Sequence, residues 1–324
     1  MKGSVFRMKK IKIKGSVLQM SPAVPMFTAL GCAAVTLGLR IWQLADNTDL
    51  ATGFFREKDF FVYLFYILAV AGTLAVCALC WLCGKMPAGE IAPIRRPIDA
   101  VASVLLATSF GYEGLTVLDT LRIAAENAGL SLYDSSVLNG TFRDLVSCIL
   151  AFVSMLAFVL YAVCCLTGNY KWLKYPAVLF LAAPMWGILR IISYFSYTIS
   201  YLVSAELFCE LYAAIFMMLF LFCFARFATG TTVEGGAWAF LASGLSAALF
   251  CLLASVPRFV AKASGIGAVE GFGVDAVYAA GFAFAITSVL SYVRKGSLVQ
   301  PEETKANEET QEDGDIPVSP FTVE

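Results

Sequence analysis

Two arginines stand in the middle of apolar text. Arg40 lies in "LGLRIWQL" and Arg190 in "GILRIISYF", and neither has an acid within a helical turn. A guanidinium held in hydrocarbon costs about 3 kcal/mol or more unless it finds a partner or water. Three acids occur in comparably apolar surroundings: Glu113 in "SFGYEGLTVLDTL", and Glu206 and Glu210 in "ELFCELYA". Arginines facing carboxylates can do one of three things. They can bind a solute that carries both charges, hold a proton or cation on a carboxylate, or lock helices together. Tyr194, one turn after Arg190, adds an aromatic face suited to a cation.

The spacing places these groups at one depth. At about 1.5 Å per helical residue, Arg40, Arg190 and Glu113 lie ~21–22 Å from one edge of their apolar segments. Glu206 enters from the other edge and comes to ~21 Å in a core of roughly 30 Å, with Glu210 one turn deeper. The polar stripes agree. Thr36, Arg40, Gln43 and Asn47 share one helical face, as do Ser109, Glu113, Thr116 and Thr120, and Trp186, Arg190, Tyr194 and Tyr197. Stripes of this kind turn away from lipid. The layer of two arginines and three glutamates sums to −1. Glu206 and Glu210 lie one turn apart, and their repulsion favours a proton held on one of them. Tyr197, Tyr201 and Tyr212, with Trp186, are further candidates to cover a cation, although Tyr197 and Tyr201 fit better in an aromatic belt at the outer interface.

These groups need helices that cross a membrane. The chain has 324 residues, 59% hydrophobic and 15% charged, against roughly half and a quarter for soluble globular chains. Apolar runs of about 20 residues recur, long enough to span as helices, and none has the alternation of an outer-membrane strand. The fold class expected is an all-α, polytopic integral membrane bundle. Eight spans are placed at 26–45, 59–84, 98–120, 144–167, 175–197, 200–228, 236–256 and 274–293. A basic N-terminal segment, 1–25, precedes the bundle of 26–295. An acidic tail, 296–324, is too poor in apolar residues to fold. The N-terminal outline resembles a secretory signal, but the first apolar segment is long enough to span and no A-x-A site follows. It is read as a retained helix.

Lysine and arginine set the orientation. With the N-terminus inside, fifteen fall on the cytoplasmic side and six outside, with Arg40 and Arg190 within spans. Both termini are therefore expected in the cytoplasm, most simply that of a bacterium, bounded by its cytoplasmic membrane. The charged layer then leans outward. Arg258, in "VPRF", counts as an outer flanking charge.

Spans 1–4 echo spans 5–8. "LRI" recurs at 39–41 and 189–191, "DFFVYLFY" resembles "ELFCELYA", "TLRI" matches "VPRF", and "RDLV" matches "VDAV". This pattern implies two parallel four-helix repeats, 26–167 and 175–293, related by an axis along the membrane normal.

Several chemistries are excluded. There is no histidine, which removes imidazole as base, ligand or pH switch. No P-loop, G-x-S-x-G, H-E-x-x-H or dinucleotide fingerprint occurs, and no enzyme activity or cofactor is expected. "GFGVD" at 271–275 departs from the Gly-x-Gly-Asp pattern of intramembrane aspartyl proteases, because Val274 intervenes, and Asp134 falls in a loop. Asp275 is set aside on that ground. Ten cysteines sit almost entirely in apolar segments, as packing residues rather than disulfides. "CALCWLC" places Cys77, Cys80 and Cys83 at thiolate-ligand spacing, the one weak metal candidate. A net charge of −1 gives nucleic acid no purchase.

The function these readings favour is binding or transport of a small polar solute, a cation or a proton. The site would lie in an outward-leaning charged cavity and hold Arg40, Glu113, Arg190, Tyr194, Glu206 and Glu210. The alternative is a membrane scaffold or subunit whose Arg–Glu pairs are structural and whose partner is another membrane protein.

Overall fold

Hydrophobicity on every face forces α-helices in lipid, because a helix satisfies its own backbone. In the computed structural model the described residues are 21–47, 60–83, 96–127, 135–196, 204–229, 237–263 and 275–293. The basic segment up to residue 20 and the tail 296–324 lie outside them. The helices are α1 (Ala23–Trp42), α2 (Phe60–Leu82), α3 (Pro97–Asn127) and α4 (Ser135–Thr167), then α5 (Ala182–Ser196), α6 (Ser204–Ala228), α7 (Ala237–Ala263) and α8 (Ala276–Val293). Among the described residues there is no strand. Eight segments are long and apolar enough to cross a membrane, so this is a multi-pass helical membrane protein.

The helices run alternately up and down. Cys83, after α2, reaches the Ser21 carbonyl before α1. The Arg96 N–H, before α3, donates to the Cys165 carbonyl near the end of α4 at 2.9 Å. Ser291, late in α8, donates to Asp99, early in α3. These contacts gather at one end, here the near end. The far end holds the other termini. α3 packs along α4, α1 along α2 and α7, and α6 against α5 and α7. α7 is the most enclosed span.

Close seams are set by small residues. A Cβ on Gly187 (α5) would meet Met218 Cβ (α6) at 2.9 Å, and one on Gly244 (α7) would meet Val289 (α8) at 2.7 Å. α4 ends at Thr167; the Gly168 N–H closes the last turn onto the Cys164 carbonyl at 2.8 Å, and its φ of 74° then turns the chain off the helix.

The core midway is a dry aromatic plug. Phe110 (α3) stacks on Phe158 (α4) at 5.9 Å and meets Trp186 (α5) edge-on at 5.1 Å. Phe158 meets Phe284 (α8) at 5.2 Å, and Phe284 meets Phe224 (α6) at 4.9 Å. All five are essentially fully buried.

Four boundaries differ from the sequence reading by more than a few residues: α4 begins nine residues before 144, at Ser135, and α5 begins at Ala182 after the 3-10 turns Tyr170–Lys174 and Ala177–Leu181, while the ends of α3 and α7 move outward. α3 runs seven residues past Thr120. Leu121 and Ala125 are buried one turn apart, and Arg122 pairs with Glu126 at 2.7 Å on the exposed side, so "LRIAAEN" prolongs the helix with good formers and an i,i+4 pair. α7 runs through Pro257 to Ala263. Proline deletes one backbone bond, which an enclosed helix tolerates because its neighbours hold it.

Candidate functional site

The far end carries two charged clusters. The first joins α1, α6 and α7. Arg40 Nη2 donates to Glu206 Oε1. Arg258 Nε donates to Glu206 Oε2 at 2.7 Å, and Arg258 Nη2 pairs with Glu210 Oε1. Arg40 Nη1 also donates to Gln43 Oε1 at 3.3 Å, and Gln43 Nε2 reaches the Phe61 carbonyl of α2 at 3.3 Å. The geometry follows from local structure. α1 ends in a widened π-turn, Gln43–Asn47, which turns Gln43, Leu44 and Asn47 inward. Glu206 and Glu210 project from one face of α6 at i, i+4. The Arg40 side chain is 1% exposed, and among the described residues the cluster holds two positive and two negative groups. It is closed and charge-balanced.

The second cluster joins α5, α3 and the start of α8. Arg190 Nη1 donates to Glu113 Oε1 at 3.0 Å, and Nη2 to Asp275 Oδ2 at 2.8 Å. The guanidinium lies 5.6 Å from the Tyr194 ring and 6.0 Å from the Trp186 ring. The Tyr194 and Tyr278 hydroxyls are 3.1 Å apart. Asp275 also caps α8, with Oδ1 accepting the Val277 N–H at 3.0 Å. Here one arginine meets two carboxylates. The Arg190 side chain is 32% exposed, while Asp275 is 7%. Among the described residues, Arg190 Nε and Trp186 Nε1 are buried donors without an acceptor. A buried polar atom without a partner costs about 1–3 kcal/mol, so this cluster is incomplete where the first is closed.

Four pairing candidates named from sequence meet as two direct pairs, Arg40 with Glu206 and Arg190 with Glu113. Glu210 joins the first cluster through Arg258, and Tyr194 underlies Arg190. Two members had been assigned elsewhere. Arg258 turns inward because α7 continues past Pro257. Asp275 stands out in the sequence as part of an incomplete protease motif, but an Asp immediately before an apolar run is the usual signature of a helix N-cap. With Arg258 between Glu206 and Glu210, the repulsion expected to hold a proton there is answered by a fixed cation.

Other expectations change. Thr116 and Thr120 face outward, each donating to the carbonyl four residues back at 2.9 Å. That bond satisfies a hydroxyl in lipid, so a Thr stripe does not require an interior. Tyr212 packs on Phe250 at 5.2 Å within the aromatic core, away from Arg190. Tyr197 and Tyr201 lie outside the described residues. Cys77 turns to Ser246 and Cys83 to the Ser21 carbonyl. Among the described residues no three potential ligands gather as for a metal.

No known family's model matches this chain, and neither a curated protein nor a solved structure is significantly similar to it.

Proposed function

We propose that this multi-pass membrane protein binds and carries a small polar solute or ion at the Arg190–Glu113–Asp275 cluster. One observation carries the reading: among the described residues this cluster has one carboxylate more than it has cations, and two buried donors lack an acceptor. A solute with a cationic group would answer Glu113 and Asp275, and an oxygen on the same solute would answer Trp186 and Arg190. Tyr194 would cover the cation. The aromatic plug below the site favours a carrier that must rearrange over an open channel. Arg40, Glu206, Arg258 and Glu210 serve in this reading as the framework that fixes α1, α6 and α7 around the site.

The orientation that suits this role has both termini in the cytoplasm of a bacterial cell and the charged clusters toward the outside, as the lysine and arginine distribution favours. The two four-helix repeats belong to the same proposal.

The test is a ligand screen on purified protein, reading thermal stabilisation by small cationic, zwitterionic and anionic solutes, followed by uptake into proteoliposomes. A zwitterion or cation should stabilise the wild type, and Glu113→Gln should abolish that stabilisation while the protein still folds. Stabilisation by anions alone, or by nothing in a broad screen, would refute it. The second reading, a scaffold for another membrane protein, draws on the closed balance of the first cluster. It requires that Glu113→Gln change assembly with a co-purifying partner and leave no solute effect to lose.

A further inference from the structure

The near end holds a polar cluster that the proposed site does not use. Asp99 is the third residue of α3, close to a membrane surface, yet it is 1% exposed. Nearby, the chain after α4 folds back against α4 through the short 3-10 turn Tyr170–Lys174, which buries Tyr170 and Leu173. Asp99 Oδ1 accepts from Ser291 Oγ at 2.7 Å. Asp99 Oδ2 has no hydrogen-bond partner among the described residues, and Arg96 Nη1 stands off at 3.7 Å. Ser288, one turn before Ser291 on the same face of α8, is also buried, and its hydroxyl has no partner among the described residues.

The far end is built differently. There both oxygens of Glu206 are bridged by guanidinium groups. A carboxylate whose purpose is to staple helices should be saturated in the same way, because an unpaired charged oxygen in a dry site is costly. Asp99 is saturated on one oxygen only, and a second unsatisfied oxygen, that of Ser288, lies on the helix face that serves it. Arg96 meets that oxygen only as a long ion pair at 3.7 Å, so a short-range positive partner is still missing from it. A proton supplies it by making Oδ2 a neutral hydroxyl. A bare monovalent cation supplies it by sharing the two oxygens.

We propose that the Asp99–Ser288–Ser291 cluster is a monovalent-cation station, taking up and releasing one proton or one Na⁺ from the near side. The groups facing it are Arg96 beside its own helix, Tyr161 and Cys165 on α4, Tyr170 in the connector and Ser291 on α8, with the buried Ser288 one turn before Ser291 on the same helix face. The Tyr161 and Tyr170 hydroxyls both bond the Cys165 thiol. Burial pushes the Tyr170 phenol up, so it stays a donor rather than an added negative charge. α3 and α8 contribute to both clusters: Glu113 and Asp275 at the far end, Asp99 and Ser291 at the near end. A cation arriving at Asp99 therefore acts on the two helices that also hold the solute site. This coupling role rests on the function proposed above; the occupancy of Asp99 does not.

Infrared difference spectroscopy on the full reconstituted chain tests it, with the pH stepped in NaCl and, separately, in choline chloride. The wild type should show a protonated-carboxyl C=O band, or a carboxylate shift on exchange of choline for Na⁺, and Asp99→Asn should lose it. Asn keeps an oxygen for Ser291, so the fold is preserved. Glu113→Gln should keep the Asp99 signal, which separates this result from failure of the solute site. Ser288→Ala leaves the carboxyl in place and should move its frequency. A proton station gives a band whose midpoint ignores Na⁺; a Na⁺ station gives one that moves to lower pH as Na⁺ competes. Identical wild-type and Asp99→Asn spectra in both salts would overturn the proposal and leave Asp99 a permanent carboxylate held by Arg96.

Discussion

Glu206→Gln is the sharpest perturbation of the far end. The wild-type cluster is balanced, with Glu206 shared by Arg40 and Arg258 and Glu210 held by Arg258. The amide replaces the carboxylate with almost no change of volume, so packing survives and only charge is altered. Arg258 keeps Glu210. Arg40, 1% exposed at its side chain, keeps only neutral oxygens, that of Gln43 at 3.3 Å and that of the introduced amide, and no counter-charge. Stranding one partner of a buried pair costs about 3–5 kcal/mol. At about 2 °C per kcal/mol for a long chain, the detergent melting midpoint should fall by ~6–10 °C, read at a fixed scan rate from tryptophan fluorescence. Adding Arg40→Met removes the stranded charge and fills its volume. The double variant should recover most of the loss, a coupling of about 2–3 kcal/mol. If Glu206→Gln melts within about 2 °C of wild type, or if the two losses simply add, the cluster is not the dry, balanced lock described here.

Asp275→Asn removes charge from the unbalanced cluster but keeps the oxygen that caps α8, so the melting midpoint should stay near wild type while solute stabilisation is lost. Asp275→Ala should cost about 1 kcal/mol more through the lost cap, measurable as a further fall in the same melting assay. Gly187→Ala forces a methyl to 2.9 Å from Met218 Cβ, and this overpacking should cost about 1–3 kcal/mol; an unchanged midpoint would mean that α5 and α6 separate freely. Tyr175→Cys, at a position 90% exposed in the connector before α5, should react with an impermeant thiol reagent from the cytoplasmic side alone, in a cysteine-free background. Labelling from outside intact cells would reverse the proposed orientation.

The sequence carried the architecture because one physical constraint dominates it. In lipid, apolar length and helix are nearly the same statement, so all eight spans could be read, and loop punctuation fixed most ends. Among the ends that moved, α3 continues where helix-forming residues follow the apolar run, as in "LRIAAEN", α7 continues through a proline that looks like a stop, and α4 begins within the polar stretch expected as a loop. Charge depth was legible for the same reason: residues on rigid rods of known rise share a level or they do not. Pairing was harder. Arg40 chose Glu206 and Arg190 chose Glu113 because of how the rods are arranged around the bundle, which composition does not encode. Arg258 was misplaced by its proline, and Asp275 by attention to a protease motif when its position before an apolar run already marked it as a cap. Those two residues decide the chemistry. Arg258 balances the cluster in which the sequence reading had put its spare negative charge. Asp275 creates the excess at Arg190. The layer still sums to −1, as it did without them, but the uncompensated carboxylate moves from α6 to the junction of α3, α5 and α8. Ranking residues by how deep they lie in a span favours Glu210 for a functional role; ranking them by what remains unanswered around them favours Glu113, Asp275 and Trp186.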